Sequence, residues 1–261
     1  MEVVIVDSTA AIGSLVADTI ETLIRSKPEV SIGLATGSSP LPVYRELVRR
    51  HREEGLSFQG VTAYMLDEYL GLPAGHPQQY RSFLHQEFVD HIDLQPGRLL
   101  GPDVGSERPD VAGAAYDELI GHNGGIDLQI LGIGADGHIG FNEPSSSLAS
   151  RTRPKTLTEE TRRDNARFFN GDLDAVPRHV VTQGIGTILD ARHIVLVASG
   201  FGKAPSLARA IEGPVTAMTP ASALQFHPHV SVVIDERAAS ELSLASYFRH
   251  TYKHKPDWQG L

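Results

Sequence analysis

The sequence predicts an α/β protein: a single open, doubly wound (Rossmann-like) domain with a mostly parallel central sheet. Short runs of apolar residues alternate, over the full length, with longer segments in which apolar residues recur every three or four positions. The short runs are typical of strands covered on both faces, and the longer segments of amphipathic helices. Their alternation favours parallel strand–helix–strand units. We therefore predict one domain over residues 1–261.

The predicted elements follow one another in a regular order. Strands are expected at about residues 3–6, 30–35, 61–66, 128–133, 194–198 and 230–234. Helices are expected after Ser8, which can cap one, after Pro40, which suits a first helical turn, and then at residues 80–88, from Asp110, at 203–211 and at 238–248.

Three stretches lack a clear period. Residues 96–109 are rich in Gly, Pro, Asp and Ser, which indicates a surface connection. Residues 159–177 are polar and irregular, which favours a movable lid, and the tail beyond Arg249 shows little periodicity.

Composition excludes several classes of function. The formal net charge of −9 argues against a nucleic-acid partner, because phosphate backbones require an excess of Lys and Arg. The chain has no cysteine, so disulfide and thiolate chemistry are excluded. No apolar run approaches 18 residues and the N-terminus has no basic region, so we expect a soluble cytoplasmic protein without a membrane partner.

The central segment, residues 127–144, carries the strongest chemical signal. An apolar strand leads into a glycine-rich loop that holds Asp136, His138 and Glu143 within eight positions. Glycines allow the backbone to approach a ligand closely, and two acids around an imidazole suit proton transfer. Pro144 restricts the backbone of Glu143. The alternative is a glycine-rich turn whose Asp caps the next helix and whose His is merely exposed.

A second candidate site follows the strand at residues 30–35. Thr36, Gly37, Ser38 and Ser39 stand between that strand and the helix that begins near Pro40. Free backbone N–H groups at a helix N-terminus attract anions, so this loop suits a phosphate group. It contains neither the lysine of a Walker loop nor a dinucleotide fingerprint. A turn that only caps the helix would look the same.

Three further charged residues complete the candidate set. Asp67 ends an apolar run beside Glu68, and partial burial near a second carboxylate raises a pKa towards the range useful for proton transfer. A helix N-cap or a loop anchor is the alternative for Asp67. Arg167 and Lys203 are possible phosphate partners, since arginine can bind phosphate through two hydrogen bonds. Their alternative is solvated surface charge.

Asp136, His138 and Glu143 could also bind a metal ion. The sequence has no second histidine at the spacing of a His-x-x-x-His ligand pair, so we predict that no metal and no other cofactor is needed.

Taken together, these motifs resemble the glucosamine-6-phosphate deaminases of the sugar-phosphate isomerase and deaminase family. The resemblance includes residues 36–40, 66–72 and 141–169, and it extends over roughly residues 32–248. It implies a cofactor-free enzyme of amino-sugar (N-acetylglucosamine) catabolism that converts glucosamine 6-phosphate and water into fructose 6-phosphate and ammonia. It also implies a homo-oligomer, a hexamer in this family.

The resemblance assigns roles to the candidate residues. Asp67 matches the base that moves a proton between two sugar carbons. His138 matches the residue that opens the sugar ring, assisted by Asp136 and Glu143. The matching Arg167 and Lys203 hold the sugar phosphate.

A separate polar set matches a regulatory site that binds N-acetylglucosamine 6-phosphate at a subunit interface in some family members. Its residues are Ser146, Arg153, Lys155, Thr156 and Tyr247. From the residues alone, only Arg153 and Lys155 suggest an anion site. We expect them to converge on a phosphate if their segment is not a regular strand. The alternative is an exposed basic loop.

Two other functions remain open at this point. The first is a sugar-phosphate lactonase such as a 6-phosphogluconolactonase, which uses a similar Asp-Gly-His loop. The second is a non-catalytic sugar-phosphate sensor, which would have no reason to keep all four candidate catalytic residues. The sequences Phe141–Pro144 and Asp67–Tyr69 favour the deaminase.

Overall fold

The fold is taken from a computed structural model, which describes residues 1–256 and 258–261. In these residues the strands are β1 (Glu2–Val6), β2 (Val30–Leu34), β3 (Val61–Met65), β4 (Asp67–Tyr69), β5 (Leu99–Leu100), β6 (Leu128–Leu131), β7 (Arg153–Thr156), β8 (His179–Thr182), β9 (His193–Ala198) and β10 (Val230–Asp235). The α-helices are α1 (Thr9–Ser26), α2 (Leu41–Glu54), α3 (Tyr80–Glu87), α4 (Pro109–His122), α5 (Glu159–Ala166), α6 (Ile185–Leu189), α7 (Ala204–Ile211) and α8 (Ala245–Lys253).

A seven-stranded sheet forms the centre of the molecule. Its strands lie in the order β1-β10-β9-β6-β2-β3-β5, and each neighbouring pair is parallel. All six predicted strands belong to this sheet, so the predicted α/β fold class with a mostly parallel central sheet is confirmed.

Helices cover both faces of the sheet. On one face the apolar sides of α1 and α2 pack on the sheet, with Val16 and Tyr44 among the buried residues. On the other face α4 and α7 do so, with Tyr116 and Leu207 in the core. Ser8 caps α1 as predicted, because its hydroxyl accepts a hydrogen bond from the backbone N–H of Ala11 at 3.1 Å.

The direction in which strands are added reverses between β2 and β6. From β2 the chain proceeds outward to β3 and β5, and then returns to β6 and continues to β9 and β10 on the other side. At such a reversal the loops after the two neighbouring strands separate and leave a crevice, which is where open α/β sheets bind ligands.

A second, antiparallel sheet was not predicted from the sequence. Its order is β4-β8-β7, and it stands beyond the carboxyl end of β3. Its strands have three or four residues each, too few for a reliable alternating pattern. A third apolar cluster surrounds it, containing Tyr69, Phe141, Phe169 and Val180.

The start of the predicted last helix, at residues 238–248, is wrong, and only residues 245–248 of it are helical. Residues 236–244 form turns in which Ala238, Ala239 and Leu242 are buried, and this spacing imitates a helix. The observed helix, α8, begins only at Ala245, and it continues through part of the tail that showed no period. Its start is set by Glu212 at the end of α7, whose carboxylate accepts hydrogen bonds from the backbone N–H groups of residues 243 and 244.

Two connecting segments are more regular than predicted. Residues 96–109 include β5, which adds a parallel edge strand beside β3. Residues 159–177, predicted to be irregular, begin with α5 and continue with a 3-10 turn at Arg167–Phe169. The cause is Thr158, whose hydroxyl caps α5 by accepting a hydrogen bond from the N–H of Thr161.

In residues 1–256 and 258–261, none of the helices is both long enough and apolar enough to cross a membrane.

Candidate functional site

The predicted site residues come together at the carboxyl end of the parallel sheet. Four neighbouring strands, β9, β6, β2 and β3, each lead into a segment that reaches one cavity of about 590 Å³. The cavity is lined by residues 36–39 after β2, Asp67 after β3, His138 after β6 and Lys203 after β9. We call these four segments the sheet loops.

The loop after β2 has the form predicted for a phosphate site. Thr36, Gly37, Ser38 and Ser39 line the cavity just before the first turn of α2. The backbone of Gly37 has a φ of 92°, a left-handed conformation that favours glycine. The helix N-terminus, the open backbone and the three hydroxyl groups form a favourable surface for an anion.

The loop after β6 holds the imidazole of His138 against its own backbone. A Cβ atom on Gly134 would lie 2.3 Å from the ring carbon Cε1 of His138, so any larger residue there would displace the imidazole. The Nδ1 atom of His138 lies 2.7 Å from Oδ1 of Asp136 and 3.8 Å from Oε2 of Glu143. Among the described residues, Nδ1 of His138 makes no hydrogen bond of regular geometry, so its short contact with Asp136 is described by distance alone.

The two carboxyl groups beside His138 differ in pKa. Burial acts to raise the pKa of Asp136, but the neighbouring His138 outweighs burial, and the pKa falls below its ordinary value. For Glu143 burial prevails and raises the pKa, although the hydroxyl of Thr161 and the imidazole act to lower it. One carboxylate is therefore firmly ionised, and the other gains a proton more readily. This difference suits a proton relay.

Asp67 lines the same cavity and is buried. Only 5% of it is exposed, and the described residues donate no hydrogen bond to its carboxylate. Burial, and secondly the charge of Glu68, raise the pKa of Asp67 well above its ordinary value. A buried carboxylate beside another acid is a stronger base than one in water.

The alternative role considered for Asp67, a helix N-cap, is filled by Glu68. Its carboxylate accepts hydrogen bonds from the backbone N–H groups of Tyr69, Tyr80 and Arg81, at 2.8–2.9 Å. The last two belong to the first turn of α3. Glu68 therefore anchors α3 and leaves Asp67 facing the cavity.

Arg167 and Lys203 line the same cavity from different elements. Burial, and secondly the charge of Arg167, lower the pKa of Lys203. Two cations that repel each other across a cavity wall stabilise an anion placed between them. This arrangement contradicts the alternative of simple solvated surface charge for Lys203. Arg167 is exposed, and its guanidinium lies 4.7 Å from the ring centre of Phe168.

The sequence analysis missed the contribution of α5 to the site. Thr161, Asp164 and Asn165 of this helix line the cavity. The side-chain N–H of Asn165 donates to the hydroxyl of Tyr69 at 2.9 Å, and burial raises the pKa of that tyrosine to about 12. A signal was present: Thr158 followed by two glutamates is typical of a helix start.

Unlike the residues that line the cavity, the five predicted effector residues are not all joined to one another. Arg153 and Lys155 lie in β7, a regular strand, so the condition set for their convergence is not met. Residues two apart in a strand nevertheless share a face, so these two lie together and Thr156 points to the opposite face. Ser146 is buried, whereas Tyr247 is 60% exposed on α8. In the described part of the chain, no hydrogen bond joins Tyr247 to the other four.

The arrangement around His138 also satisfies the spacing of a metal site. Ligand atoms of Asp136, His138 and Glu143 all lie within 4.8 Å of one another. One imidazole and two carboxylates can hold either a proton or a divalent cation. That no metal is needed stays a prediction.

Comparison with known proteins gives consistent results. A model of the family described as glucosamine-6-phosphate isomerases/6-phosphogluconolactonase matches residues 6–234. Over the full length of both chains, the sequence is 60% identical to a glucosamine-6-phosphate deaminase from Beutenbergia cavernae and 58% identical to one from Streptomyces coelicolor.

Solved structures include similar folds. One is described as a monomeric glucosamine-6-phosphate deaminase, with a TM-score of 0.89 and 41% identity over 92% of this chain and 100% of the other. A 6-phosphogluconolactonase from Trypanosoma cruzi has a TM-score of 0.71 at 20% identity, covering 93% of this chain and 97% of its own. The second likeness extends to the fold alone.

Proposed function

The chain belongs to the family of glucosamine-6-phosphate isomerases and 6-phosphogluconolactonases, and from that premise we propose that it is the deaminase, not the lactonase. It converts D-glucosamine 6-phosphate and water into D-fructose 6-phosphate and ammonia. The two curated relatives that share 58–60% of its residues over the full length carry the deaminase name, whereas the lactonase from Trypanosoma cruzi is 20% identical.

The observation that carries this proposal is the composition of the single cavity described above. It combines a buried carboxylate, an imidazole between two acids and an anion-binding loop. An aldose–ketose isomerisation of a sugar phosphate needs these three functions together. Lactone hydrolysis has no step that requires a base to move a proton between carbon atoms, so the buried Asp67 favours the deaminase.

Substrate binding begins with the phosphate group. It would rest on the N–H groups and hydroxyls of residues 36–39, with Arg167 and Lys203 on its other side. Charge-assisted hydrogen bonds are the stronger kind, so these two cations contribute most to affinity. This placement orients the sugar ring between Asp67 and His138.

Ring opening is the first chemical step. His138 takes the proton of the C1 hydroxyl and returns a proton to the ring oxygen, which gives the open-chain aldehyde. Asp136, which stays ionised, stabilises the imidazolium that forms, and Glu143 faces the same nitrogen atom. A positioned acid–base group of this kind contributes about 10²- to 10⁴-fold to the rate.

Isomerisation and loss of nitrogen follow. Asp67 removes the proton from C2, the aldehyde oxygen is protonated, and an enolamine forms between C1 and C2. The amino nitrogen stabilises this intermediate by electron donation, so no electron-accepting cofactor is required. Asp67 then returns its proton to C1, which leaves an iminium at C2. Water adds to that carbon, ammonia leaves, and the ketone remains.

Incubation of the purified protein with glucosamine 6-phosphate tests the proposal directly. Ammonia and fructose 6-phosphate should appear in equal amounts, and 6-phosphogluconolactone should be hydrolysed no faster than in buffer. Lactone hydrolysis without ammonia would instead support the lactonase. Binding of sugar phosphates without any turnover would indicate the sensor. Dialysis against a chelator should leave the deaminase rate unchanged, and a loss that added metal restores would contradict the metal-free mechanism.

We also propose regulation by N-acetylglucosamine 6-phosphate. Arg153 and Lys155 share a face of β7, and Nη1 of Arg153 donates to Oδ1 of Asn142, the neighbour of Glu143, at 2.9 Å. An effector that binds and displaces Arg153 can therefore influence Glu143 through the side chain of Asn142. Ser146, Thr156 and Tyr247 would take part only where a second subunit brings the sets together, so the proposal includes a homo-oligomer, a hexamer by family resemblance.

The rate curve and the mass in solution test this regulation. A sigmoidal curve should become hyperbolic on adding effector, and the Arg153→Ala/Lys155→Ala variant should ignore the effector. A coupling of about 1–3 kcal/mol is typical. A monomer by light scattering, like the monomeric relative, with an unaltered hyperbolic curve would contradict the proposal.

The cellular location that we propose is the cytoplasm. A chain without cysteine has no need of an oxidising compartment, which supports this location.

A further inference from the structure

Glu143 is held through both of its carboxylate oxygens. Oε2 faces Nδ1 of His138 at 3.8 Å. Oε1 accepts a hydrogen bond from the hydroxyl of Thr161 at 2.5 Å, a short distance typical of a hydroxyl that donates to a carboxylate. The first contact belongs to the sheet loops, and the second comes from α5. Glu143 therefore joins these two parts of the site.

The hydroxyl of Thr161 has one proton, which it donates to the carboxylate of Glu143, while its oxygen accepts from Thr158. The hydroxyl of Thr158 lies 3.0 Å from that of Thr161 and 3.5 Å from Oε1 of Glu143, and it donates its one proton to the nearer oxygen, that of Thr161. Thr158 in turn accepts from the backbone N–H of Thr161 at 3.2 Å, as the cap of α5. The protons therefore point in one direction, from Thr158 to Thr161 to Glu143.

We propose that Thr161 is a positioning residue for Glu143, and that α5 completes the relay at His138 through this one hydroxyl. The donor of this hydrogen bond lies on the segment, and the acceptor lies on the loop after β6. Loss of the Thr161 hydroxyl leaves the carboxylate free to rotate away from His138. This inference rests on the proposed function for its catalytic meaning.

The charges around Glu143 show why one hydroxyl matters. The ionisable groups that face it are His138 and Asp136, both from its own loop. From α5 the contacts are hydroxyls: Arg162 is directed to backbone carbonyls, and Arg163 to Glu159. Burial raises the pKa of Glu143, and Thr161 is the largest influence that lowers it. Without that hydroxyl the pKa rises further, and Glu143 is protonated at higher pH.

If Thr161 had only a structural role, removing its hydroxyl would lower stability without changing the titration of Glu143. The chain contains a matched control for this alternative. The hydroxyl of Thr187 donates to the carboxylate of Asp117 at 3.1 Å, in a similarly buried place away from the cavity. Removing either hydroxyl costs stability in a similar way. Only removal of the Thr161 hydroxyl should change the titration of Glu143.

The experiment measures that titration by NMR in the full-length protein with ¹³C-labelled glutamate carboxyl groups. Glu143→Gln identifies the signal of Glu143. In Thr161→Val, which keeps the size of the side chain, the pKa of Glu143 should rise by about one to two pH units, since a hydrogen bond to a charged group has this magnitude. The acidic limb of kcat/KM should move in the same direction. Thr161→Ser should restore both, and Thr187→Val should leave both at the wild-type position.

The possible outcomes separate this inference from the proposed function. An unchanged Glu143 signal in Thr161→Val overturns the inference whether or not the enzyme is active, and so does an equal shift in Thr187→Val. Absence of deaminase activity in the wild type overturns the proposed function but leaves the NMR comparison valid. If the Val variant does not fold, Thr161→Ala removes the same hydroxyl without adding a methyl group to pack, and its Glu143 signal decides the question.

Discussion

The sheet loops and the 159–177 segment line the same cavity, but the protein holds them in different ways. Each sheet loop follows a strand of the parallel sheet, and β6 and β9 are buried along their whole length. The segment is held by a small apolar cluster and by single polar contacts, such as Thr161 with Glu143 and Asn165 with Tyr69. Within the segment, Arg162 is 4% exposed and bonds only backbone carbonyls.

This difference separates two tasks. The groups proposed to move protons, Asp67, Asp136, His138 and Glu143, all belong to the sheet loops, where a rigid sheet maintains their distances. Arg167, proposed to bind the phosphate, belongs to the segment, whose predicted mobility would cost less free energy than movement of a sheet loop. Changes in the sheet loops should therefore reduce the rate of chemistry, and changes in the segment should mainly weaken binding, except at Thr161, which we propose acts on Glu143.

The largest effect is expected for Asp67→Asn in the sheet loops. The substitution removes the carbon base and leaves the phosphate contacts intact. kcat should fall about 10²- to 10⁴-fold while the affinity for a substrate analogue stays within about two-fold. Steady-state kinetics, calorimetry with the analogue and exchange of the C2 proton with solvent measure this. Asp117→Asn, a change in an acid outside the cavity, is the control. Near-normal turnover in the Asp67 variant would contradict the proposed role.

A somewhat smaller effect is expected for His138→Gln. Because open-chain substrate forms slowly without the enzyme, kcat should fall about 10²-fold with the cyclic substrate. An acyclic amino-alditol phosphate should bind as it does to the wild type, because it needs no ring opening. Equal loss of binding for cyclic and acyclic ligands would show that His138 binds substrate and does not open the ring.

A change within the 159–177 segment should act on binding. Arg162→Met removes the hydrogen bonds to the carbonyls of Leu173 and Val176, and the loosened segment should present Arg167 less often. KM should rise about ten-fold with a smaller change in kcat, since loss of one interaction of this kind costs about 1–2 kcal/mol. Amide exchange should accelerate over residues 159–177 only. Arg163→Met is the control, because that side chain is 66% exposed and its pair with Glu159 contributes little.

The smallest effect is expected on the stability of the protein, and it concerns Asp67 in the sheet loops. The folded-state pKa of Asp67 is raised, so its ionisation opposes folding: stability is highest below the unfolded-state pKa and declines as pH rises through the folded-state value. Asp67→Asn should therefore raise the melting temperature at neutral pH, by about 2–4 °C for each kcal/mol recovered. At pH below the unfolded-state pKa the two proteins should melt together. If Asp67→Asn were less stable than the wild type at neutral pH, this would contradict the claim that the carboxylate of Asp67 is buried and unpaired.

Much of the fold could be predicted because its signals are local. An apolar strand followed by glycines and polar groups marks a sheet loop, and three of the four loops were recognised in this way around Thr36, Asp67 and His138. Strand order could not be predicted, because nothing in the sequence states that β6 lies between β9 and β2. Only that order makes the loops after β9, β6, β2 and β3 neighbours.

The sequence by itself determined the α/β class, the residue types of the site and the family. These follow from periodicity and from short motifs, which a chain carries before it folds. The tertiary structure decided what depends on contacts between distant residues. Glu143 meets a hydroxyl 18 positions away, and α8 begins where Glu212, 31 positions before Ser243, reaches its N-terminus. Such contacts form only when packing brings distant segments together, so local patterns do not contain them.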